Sequence, residues 1–280
     1  MRRVRLLLQT FFIANLLLWL TGCTHFFFQP LKQHLASPEQ YNIQCEDIYF
    51  EGNDGKLHGW WFPARVSTHQ KSKATILFLH GNGENISTHS GLIYWLTQYQ
   101  YDVFIFDYRG YGKSEGSVNV TGALADITHA RKYVKSRNKT GNKLFVIGHS
   151  LGASLGIVNL AMHNNLVDGI ILVSPFSDYK KITREMMAKS WVTWAFQWPI
   201  SLTINGEYNP INFVEKLPTV PKLFIYSETD SVINPQHVKS LYAKASQPKF
   251  IEQVDGKHNS LFSKKATQQL IVRYLNQWLH

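Results

Sequence analysis

The sequence predicts a single α/β domain built on a mostly parallel central sheet, with helices on both faces. From residue 46 onward, short runs of almost wholly apolar, β-forming residues alternate with helical segments. Continuous apolar runs are typical of parallel strands that are covered on both faces. With 280 residues, of which 17% are charged, the chain is long and apolar enough to bury a large core.

The predicted elements begin with a hairpin. Residues 46–51 and 56–62 flank a Gly-Asn-Asp-Gly turn, and this composition favours a tight connection. Five further strands are predicted from apolar runs at 75–79, 102–106, 144–147, 170–173 and 222–226. Helical patterns are predicted at 87–98, 121–136, 150–163, 235–244 and 264–279.

One stretch, at about 176–217, interrupts this alternation. Its residues 186–198 are helical in character and rich in tryptophan and phenylalanine. One interpretation is an ordinary crossover helix packed in the core. The other is a small lid-like insertion whose apolar face lines an acyl or aryl pocket.

The first 22 residues are predicted to be a lipoprotein-type signal peptide. A basic start is followed by an apolar stretch from Leu6 to Leu20, which is short for a membrane span of about 20 residues. Leu20-Thr-Gly-Cys23 resembles the bacterial lipobox, in which cleavage leaves the cysteine as a lipidated N-terminus. Residues 23–39 would then be a tether before a domain at 40–280; an uncleaved anchor is the alternative. In such lipoproteins an Asp after the cysteine favours retention in the inner membrane. Here that residue is Thr24, so the resemblance favours the outer membrane and implies a periplasm-facing location in the bacterial envelope.

The charge and the cysteines exclude several kinds of partner. The net charge is +10, but the basic residues are dispersed and no nucleic-acid-reading motif is present, so no nucleic-acid partner is expected. Lipidation would use one of the two cysteines and leave Cys45 without a disulfide partner. Neither cysteine nor histidine spacing resembles a zinc or haem motif, and we expect no metal and no cofactor.

Gly148-His-Ser-Leu-Gly152 is the main candidate for chemistry. This G-x-S-x-G pattern lies between a predicted strand and a predicted helix, as in a nucleophile elbow, where a tight bend presents the serine hydroxyl. Ser150 is therefore the candidate nucleophile. The alternative is a serine that merely caps the helix.

A serine hydroxyl needs a base, and the base needs a carboxylate that orients it. His258 is the candidate base, in the loop at 254–260 between the last predicted strand and the terminal helix. Asp230 is the candidate acid, just after the strand predicted at 222–226. Each follows the carboxyl end of a predicted strand, as Ser150 does, and there the crevice of an open parallel sheet lies.

Three other carboxylates compete for the acid role. Glu228 and Asp178 also follow predicted strands, whereas Asp255 is too close in sequence to the base to orient its ring easily. Asp230 is favoured because a hydrophobic turn, at 232–235, follows it directly.

Acyl transfer also needs donors for the developing oxyanion. The backbone N–H of Leu151, the residue after the nucleophile, is one candidate. The backbone N–H of Asn82, in the run His80-Gly-Asn-Gly83 after the strand at 75–79, is the other. The alternative for this run is a turn that only ends the strand.

With these residues in place, the chain resembles the α/β-hydrolase superfamily over about residues 40–280. It looks most like small-lid, membrane-attached serine hydrolases, including bacterial lipoproteins. The resemblance is carried by DGKLHGWW (54–61), LHGN (79–82), FDYRGYGKS (106–114), GHSLG (148–152), ETD (228–230) and KHN (257–259). Two positions depart from the family pattern: Tyr226-Ser227 stands where a His-Gly pair is usual, and Lys257 stands where glycine precedes the catalytic histidine.

The resemblance implies a serine hydrolase that cleaves a carboxylic ester in a small-molecule or lipid-like substrate. It also implies that the protein is attached to a membrane through a lipid on Cys23. The same motifs occur in amidases, peptidases and thioesterases, so these activities stay open. A non-catalytic envelope lipoprotein on a hydrolase scaffold is the alternative from another class.

Overall fold

A computed structural model describes residues 27–67, 70–137, 141–163 and 167–280. Its centre is a sheet of eight strands: β1 (Glu46–Gly52), β2 (Gly55–Phe62), β3 (Ala74–Leu79), β4 (Tyr101–Phe106), β5 (Lys143–His149), β6 (Gly169–Val173), β7 (Lys222–Tyr226) and β8 (Lys249–Gln253). Their order is β1-β2-β4-β3-β5-β6-β7-β8, in which the β1–β2 and β2–β4 pairs are antiparallel and all others are parallel. The predicted mostly parallel sheet is confirmed.

Helices cover both faces of this sheet, as predicted. The helices are α1 (Ile86–His89), α2 (Val120–Arg137), α3 (Leu151–Met162), α4 (Tyr179–Ala188), α5 (Trp191–Trp194), α6 (Gln197–Thr203), α7 (Pro235–Lys244) and α8 (Lys265–Gln277). One core lies beneath α2, α3 and α7, and the other beneath α1, the segment that follows it, and α8. The central strands β3 and β6 are buried along their whole length, which is why their sequences are continuously apolar.

The prediction of one helix at 87–98 is wrong. The chain forms the single turn α1 and then two 3₁₀ segments, Ser90–Leu92 and Tyr94–Tyr99. The Trp95 indole N–H donates to the Leu92 carbonyl at 2.7 Å. In an α-helix this carbonyl would accept from the backbone N–H of Leu96, four residues further on. The Leu96 N–H instead donates to the Ile93 carbonyl at 3.0 Å, in the tighter 3₁₀ pattern.

Residues 27–37, which we call the N-terminal strap, are packed on the domain, although the sequence places them in a tether. Phe28 is buried in the core, and Pro30 pairs with Glu84 in a parallel bridge. The Leu31 carbonyl accepts hydrogen bonds from the Gly112 N–H at 3.0 Å and from the Asn85 amide at 2.8 Å. The folded domain therefore includes the strap.

The predicted signal peptide and Cys23 lie outside the described residues. Among the residues that are described, no helix has the length and apolar character that crossing a bilayer requires.

Candidate active site

Ser150 lies at a sharp turn between β5 and α3. Its backbone has φ 53° and ψ −116°, a conformation that costs energy in a residue with a side chain. The Ser150 N–H donates to the Val173 carbonyl at the end of β6 at 2.9 Å, and the Ser150 carbonyl accepts from the Ser154 N–H in α3 at 3.0 Å, so β6 and α3 both hold the turn. This geometry is that of a nucleophile elbow.

The two glycines of the G-x-S-x-G run are required by close backbone contacts. A Cβ added at Gly152 would lie 2.1 Å from the Leu79 carbonyl oxygen, and one at Gly148 would lie 2.5 Å from the Ala153 Cα. Neither contact can be relieved by rotating a side chain, because both neighbouring atoms belong to the backbone. The elbow therefore packs directly against the carboxyl end of β3.

Asp230 follows β7 and accepts four hydrogen bonds. Its Oδ1 accepts from the N–H groups of Val232 at 2.8 Å and Ile233 at 2.9 Å. Its Oδ2 accepts from the Ser174 hydroxyl at 2.9 Å and lies 2.7 Å from Nδ1 of His258. Burial by itself would raise the pKa of the Asp230 carboxyl, but the bonds from His258 and the two N–H groups hold this pKa below its ordinary value. The carboxyl is therefore ionised at neutral pH.

None of the competing carboxylates reaches His258. Glu228 forms a surface ion pair with Lys239 at 2.7 Å, and Asp178 caps α4 by accepting from the Lys181 N–H at 2.7 Å. Asp255 is exposed. Among the described carboxylates, Asp230 is the one that hydrogen-bonds the His258 ring.

His258 begins a 3₁₀ segment, His258–Ser263, beyond the end of β8. Its ring lies 4.8 Å, centroid to centroid, from the ring of His149, the residue that precedes Ser150. The Ser150 hydroxyl and the His258 ring both lie at the edge formed by the carboxyl ends of the parallel strands. In the described part of the chain they do not hydrogen-bond each other. Such bonds are often long before substrate binds and tighten in the complex.

The predicted oxyanion donors lie on the two backbone segments that meet at the elbow. A Cβ added at Gly81 would be 3.5 Å from Cβ of Ser150, so the loop that carries Asn82 touches the nucleophile turn. Leu151 is the first residue of α3. In the described ranges, the N–H groups of Asn82 and Leu151 donate to no protein acceptor, which leaves both for a ligand.

The N-terminal strap holds the Asn82 loop, which the sequence does not predict. The Asn82 side-chain oxygen accepts from the Gln29 N–H at 2.8 Å, the Gly83 N–H at 2.7 Å and the Tyr111 hydroxyl at 3.1 Å. The neighbouring His80 ring is fully buried, and burial lowers its pKa to about 3, so this ring is neutral. Ser174, the other unpredicted contributor, is a positive-φ residue just after β6, with φ 49°.

The two departures from the family pattern leave the acid and the base in contact. The Ser227 hydroxyl accepts from the Thr229 N–H at 3.2 Å and so organises the loop before Asp230. Lys257 is exposed and precedes the 3₁₀ segment that carries His258.

The predicted insertion forms α4, α5 and α6 on the same edge of the sheet. We call these three helices and their connections, residues 179–204, the lid. The Lys189 ammonium donates to the Val232 carbonyl at 3.2 Å, which joins the lid to the loop that carries Asp230. The interpretation as a helix packed in the core is wrong for its tryptophans, because their side chains are exposed; that the segment lines an acyl or aryl pocket stays a prediction. Trp191, Trp194 and Trp198 are 90%, 61% and 60% exposed.

One group of side chains in the described part of the chain has the composition of a metal site. Oδ2 of Asp107 lies 3.3 Å from Nε2 of His34 and 3.5 Å from Nδ1 of His58, and Nε2 of His58 lies 2.6 Å from Asp47. Three ligand atoms are one short of a closed structural zinc site. The contacts are also those of histidines paired with carboxylates, and the one between His34 and Asp107 attaches the strap to the domain. Although burial raises the pKa of Asp107, the two histidines lower it to about 2.

The family model described as "Serine aminopeptidase, S33" matches residues 70–214 of the 280, a range that contains Ser150. The chain is 32% identical over 235 residues to YfhR of Salmonella typhi, covering 79% of this chain and 76% of that protein. It is 29% identical over 238 residues to the lysophosphatidylserine lipase ABHD12 of Mus musculus, covering 76% of this chain and 58% of that protein.

The solved structure of the Pyrococcus furiosus esterase Pf2001 superposes with a TM-score of 0.72 at 21% identity, covering 90% of this chain and 100% of that one. The likeness confirms the fold, and the sequence matches establish the family. The chain therefore belongs to the serine aminopeptidase S33 family of the α/β-hydrolase superfamily and is a serine hydrolase.

Proposed function

We propose that the protein hydrolyses a carboxylic ester through an acyl-enzyme on Ser150. The observation that carries the proposal is the 2.7 Å contact between His258 Nδ1 and Asp230 at the same edge as the strained elbow. Because the ionised Asp230 holds the proton on Nδ1, the opposite ring nitrogen, Nε2, is left as the base.

In the first half-reaction, the Ser150 oxygen attacks the ester carbonyl and its proton passes to Nε2 of His258. The N–H groups of Asn82 and Leu151 stabilise the negative oxygen of the tetrahedral intermediate. The bond to the alcohol then breaks, and the alcohol leaves with the proton from His258. Water repeats the sequence on the acyl-enzyme, which releases the carboxylic acid and restores the serine hydroxyl.

The charge on the lid helices favours an ester over a peptide with a free amino terminus. An aminopeptidase must bind a charged amino group, for which a carboxylate is the natural partner. The lid, residues 179–204, carries four basic residues and one acidic residue, Glu185. That carboxylate already lies 3.1 Å from the His237 ring. The names of the mouse lipase and the archaeal esterase agree with ester chemistry.

We also propose that the chain is anchored in the bacterial envelope, on the periplasmic side, through a lipid on Cys23. The support is the run Leu20-Thr-Gly-Cys23 after a basic, apolar start. Mass analysis of the mature N-terminus should find a diacylglyceryl cysteine; an intact Met1 would contradict this and favour an uncleaved anchor.

The activity is tested with p-nitrophenyl esters of graded chain length and with matched amide and thioester substrates. We expect ester hydrolysis by the wild type and none above background by Ser150→Ala. Ser260→Ala, which removes a hydroxyl from the base loop, is the matched control and should keep its activity. Preference for the amide or thioester would replace the ester proposal, and a folded but inactive wild type would favour the non-catalytic lipoprotein.

A further inference from the structure

Exposed large hydrophobic side chains are concentrated on the lid. Of the twelve such residues in the described part of the chain, seven lie between Met186 and Leu202. Scattered apolar residues are normal on a protein surface, whereas a contiguous patch indicates an interaction site. We call six of these residues the lid aromatic surface: Trp191 (90% exposed), Val192 (57%), Trp194 (61%), Phe196 (50%), Trp198 (60%) and Leu202 (73%).

The composition of this surface fits the boundary of a lipid bilayer. Tryptophan is enriched where one end of the side chain meets hydrocarbon and the other meets water. Four basic residues, Lys180, Lys181, Arg184 and Lys189, accompany the apolar ones in this segment, and the Arg184 guanidinium lies 4.5 Å from the Trp198 ring. Basic side chains next to interfacial aromatic ones attract anionic headgroups.

The chain enters the domain beside this surface. The ring of Phe27, the first described residue, lies 4.8 Å from the ring of Tyr179, at the start of α4. Phe27 is four positions after Cys23, and even a fully extended chain spans only about 14 Å over that distance. If Cys23 carries the lipid, as proposed above, the base of the lid cannot lie far from the membrane.

The same surface belongs to the catalytic edge of the sheet. The lid follows β6, whose neighbours β5 and β7 lead to Ser150 and Asp230, and Lys189 bonds the acid loop at Val232. A bilayer against the lid would therefore face the site that cleaves the ester.

We propose that the lid aromatic surface docks on an anionic lipid bilayer, so that the site receives its ester from the membrane. Docking itself is independent of catalysis, whereas delivery of the ester rests on the proposed function. A partner protein or a second copy of the chain are the other occupants that such a surface can have.

The test measures tryptophan fluorescence of the full chain in vesicles whose acyl chains are brominated, because bromine quenches only an indole that reaches the hydrocarbon. All variants carry Trp19→Phe, since Trp19 lies in the predicted anchor. Of the other tryptophans, Trp60, Trp61, Trp95 and Trp278 are buried in the fold, which leaves the three on the lid to report.

We expect quenching in the Trp19→Phe protein and its loss when Trp191, Trp194 and Trp198 are also changed to phenylalanine. Trp95→Phe, which removes a buried indole, is the matched control and should leave the quenched fraction unchanged. Lys180→Gln with Lys181→Gln should reduce quenching in phosphatidylglycerol-containing vesicles and leave it unchanged in pure phosphatidylcholine. Circular dichroism checks that each variant is folded.

Quenching that is absent, or that survives removal of the lid tryptophans, would overturn the proposal. If the protein self-associates through its lid tryptophans, sedimentation will show a dimer that the triple variant loses, and this too would overturn it. Ser150→Ala should be quenched like the wild type, so failure of docking and failure of catalysis are told apart. In the active protein, the triple variant should lower hydrolysis of a vesicle-embedded ester, relative to a soluble one, by at least tenfold, or about 1.4 kcal/mol.

Discussion

Replacing Asp230 by asparagine tests the role of the acid with little change in shape. The side chain has two unequal ends: Oδ1 accepts from the N–H groups of Val232 and Ile233, and Oδ2 faces Ser174 and His258. An amide nitrogen is a donor and cannot sit against two N–H donors. The asparagine oxygen must therefore take the Oδ1 position, and its NH₂ group must face His258.

This orientation sets the wrong tautomer of the base. With an NH₂ donor 2.7 Å away, Nδ1 of His258 must act as an acceptor, so the proton moves to Nε2. A protonated Nε2 cannot accept the proton of Ser150, and the negative charge that stabilises the imidazolium is also lost. The corresponding change in a serine protease triad lowers kcat about 10⁴-fold, which corresponds to about 5.4 kcal/mol of transition-state stabilisation.

The assay is kcat/KM on a p-nitrophenyl ester at neutral pH, with thermal unfolding as the check on folding. Glu228→Gln is the matched control, because Glu228 lies two residues away and its ion pair within the described residues is with surface Lys239. We expect Asp230→Asn to lose about four orders of magnitude and the control to stay near the wild type. A folded Asp230→Asn protein that keeps a tenth or more of wild-type activity would refute the reasoning.

Three further predictions concern the elbow, the oxyanion loop and pH. Gly152→Ala should lower the free energy of unfolding in urea by about 3 kcal/mol, because its Cβ would lie 2.1 Å from the Leu79 carbonyl oxygen. Gly91→Ala is the control and should be neutral, because a Cβ there has no atom within 4 Å. Equal effects of the two changes would contradict the described packing. Asn82→Ala removes the acceptor that ties its loop to the strap, so kcat should fall about tenfold with little change in KM; a change confined to KM would argue against oxyanion positioning. Burial lowers the pKa of His80 to about 3 and that of His149 well below 6.5, so the unfolded chain binds more protons than the folded one below pH 6.5. The contribution of these histidines to the free energy of unfolding is therefore highest above pH 6.5. It falls with decreasing pH by up to about 1.4 kcal/mol per pH unit for each of them. A melting temperature that stays constant from pH 6.5 to 5 would contradict this.

The sequence predicts much of the fold because a buried parallel strand has a strong pattern. β6 is buried at every position, and its apolar run leaves little alternative to a covered strand. The wrong helix prediction at 87–98 shows a case in which the local sequence pattern does not determine the secondary structure. Whether the Trp95 indole takes a backbone carbonyl depends on how its ring packs in the folded core, which no periodicity encodes.

At the candidate site, the predicted residues are those with a motif, and the missed ones act through distant contacts. Asp230 lies 28 positions from His258 and could be proposed from its place after a strand. Gln29, by contrast, supports Asn82 across 53 positions through its backbone, so its residue type carries no signal. The lid tryptophans show a third limit: aromatic spacing is the same whether the rings face a core, a pocket or the surface.

The most direct test of the account is to find which atom becomes acylated. The full chain is treated with a fluorophosphonate, and the adduct is located by peptide mass spectrometry. The account predicts one adduct per chain, on Ser150, that forms far more slowly in Asp230→Asn. A folded wild-type protein with no adduct, or with its adduct on another serine, would contradict it.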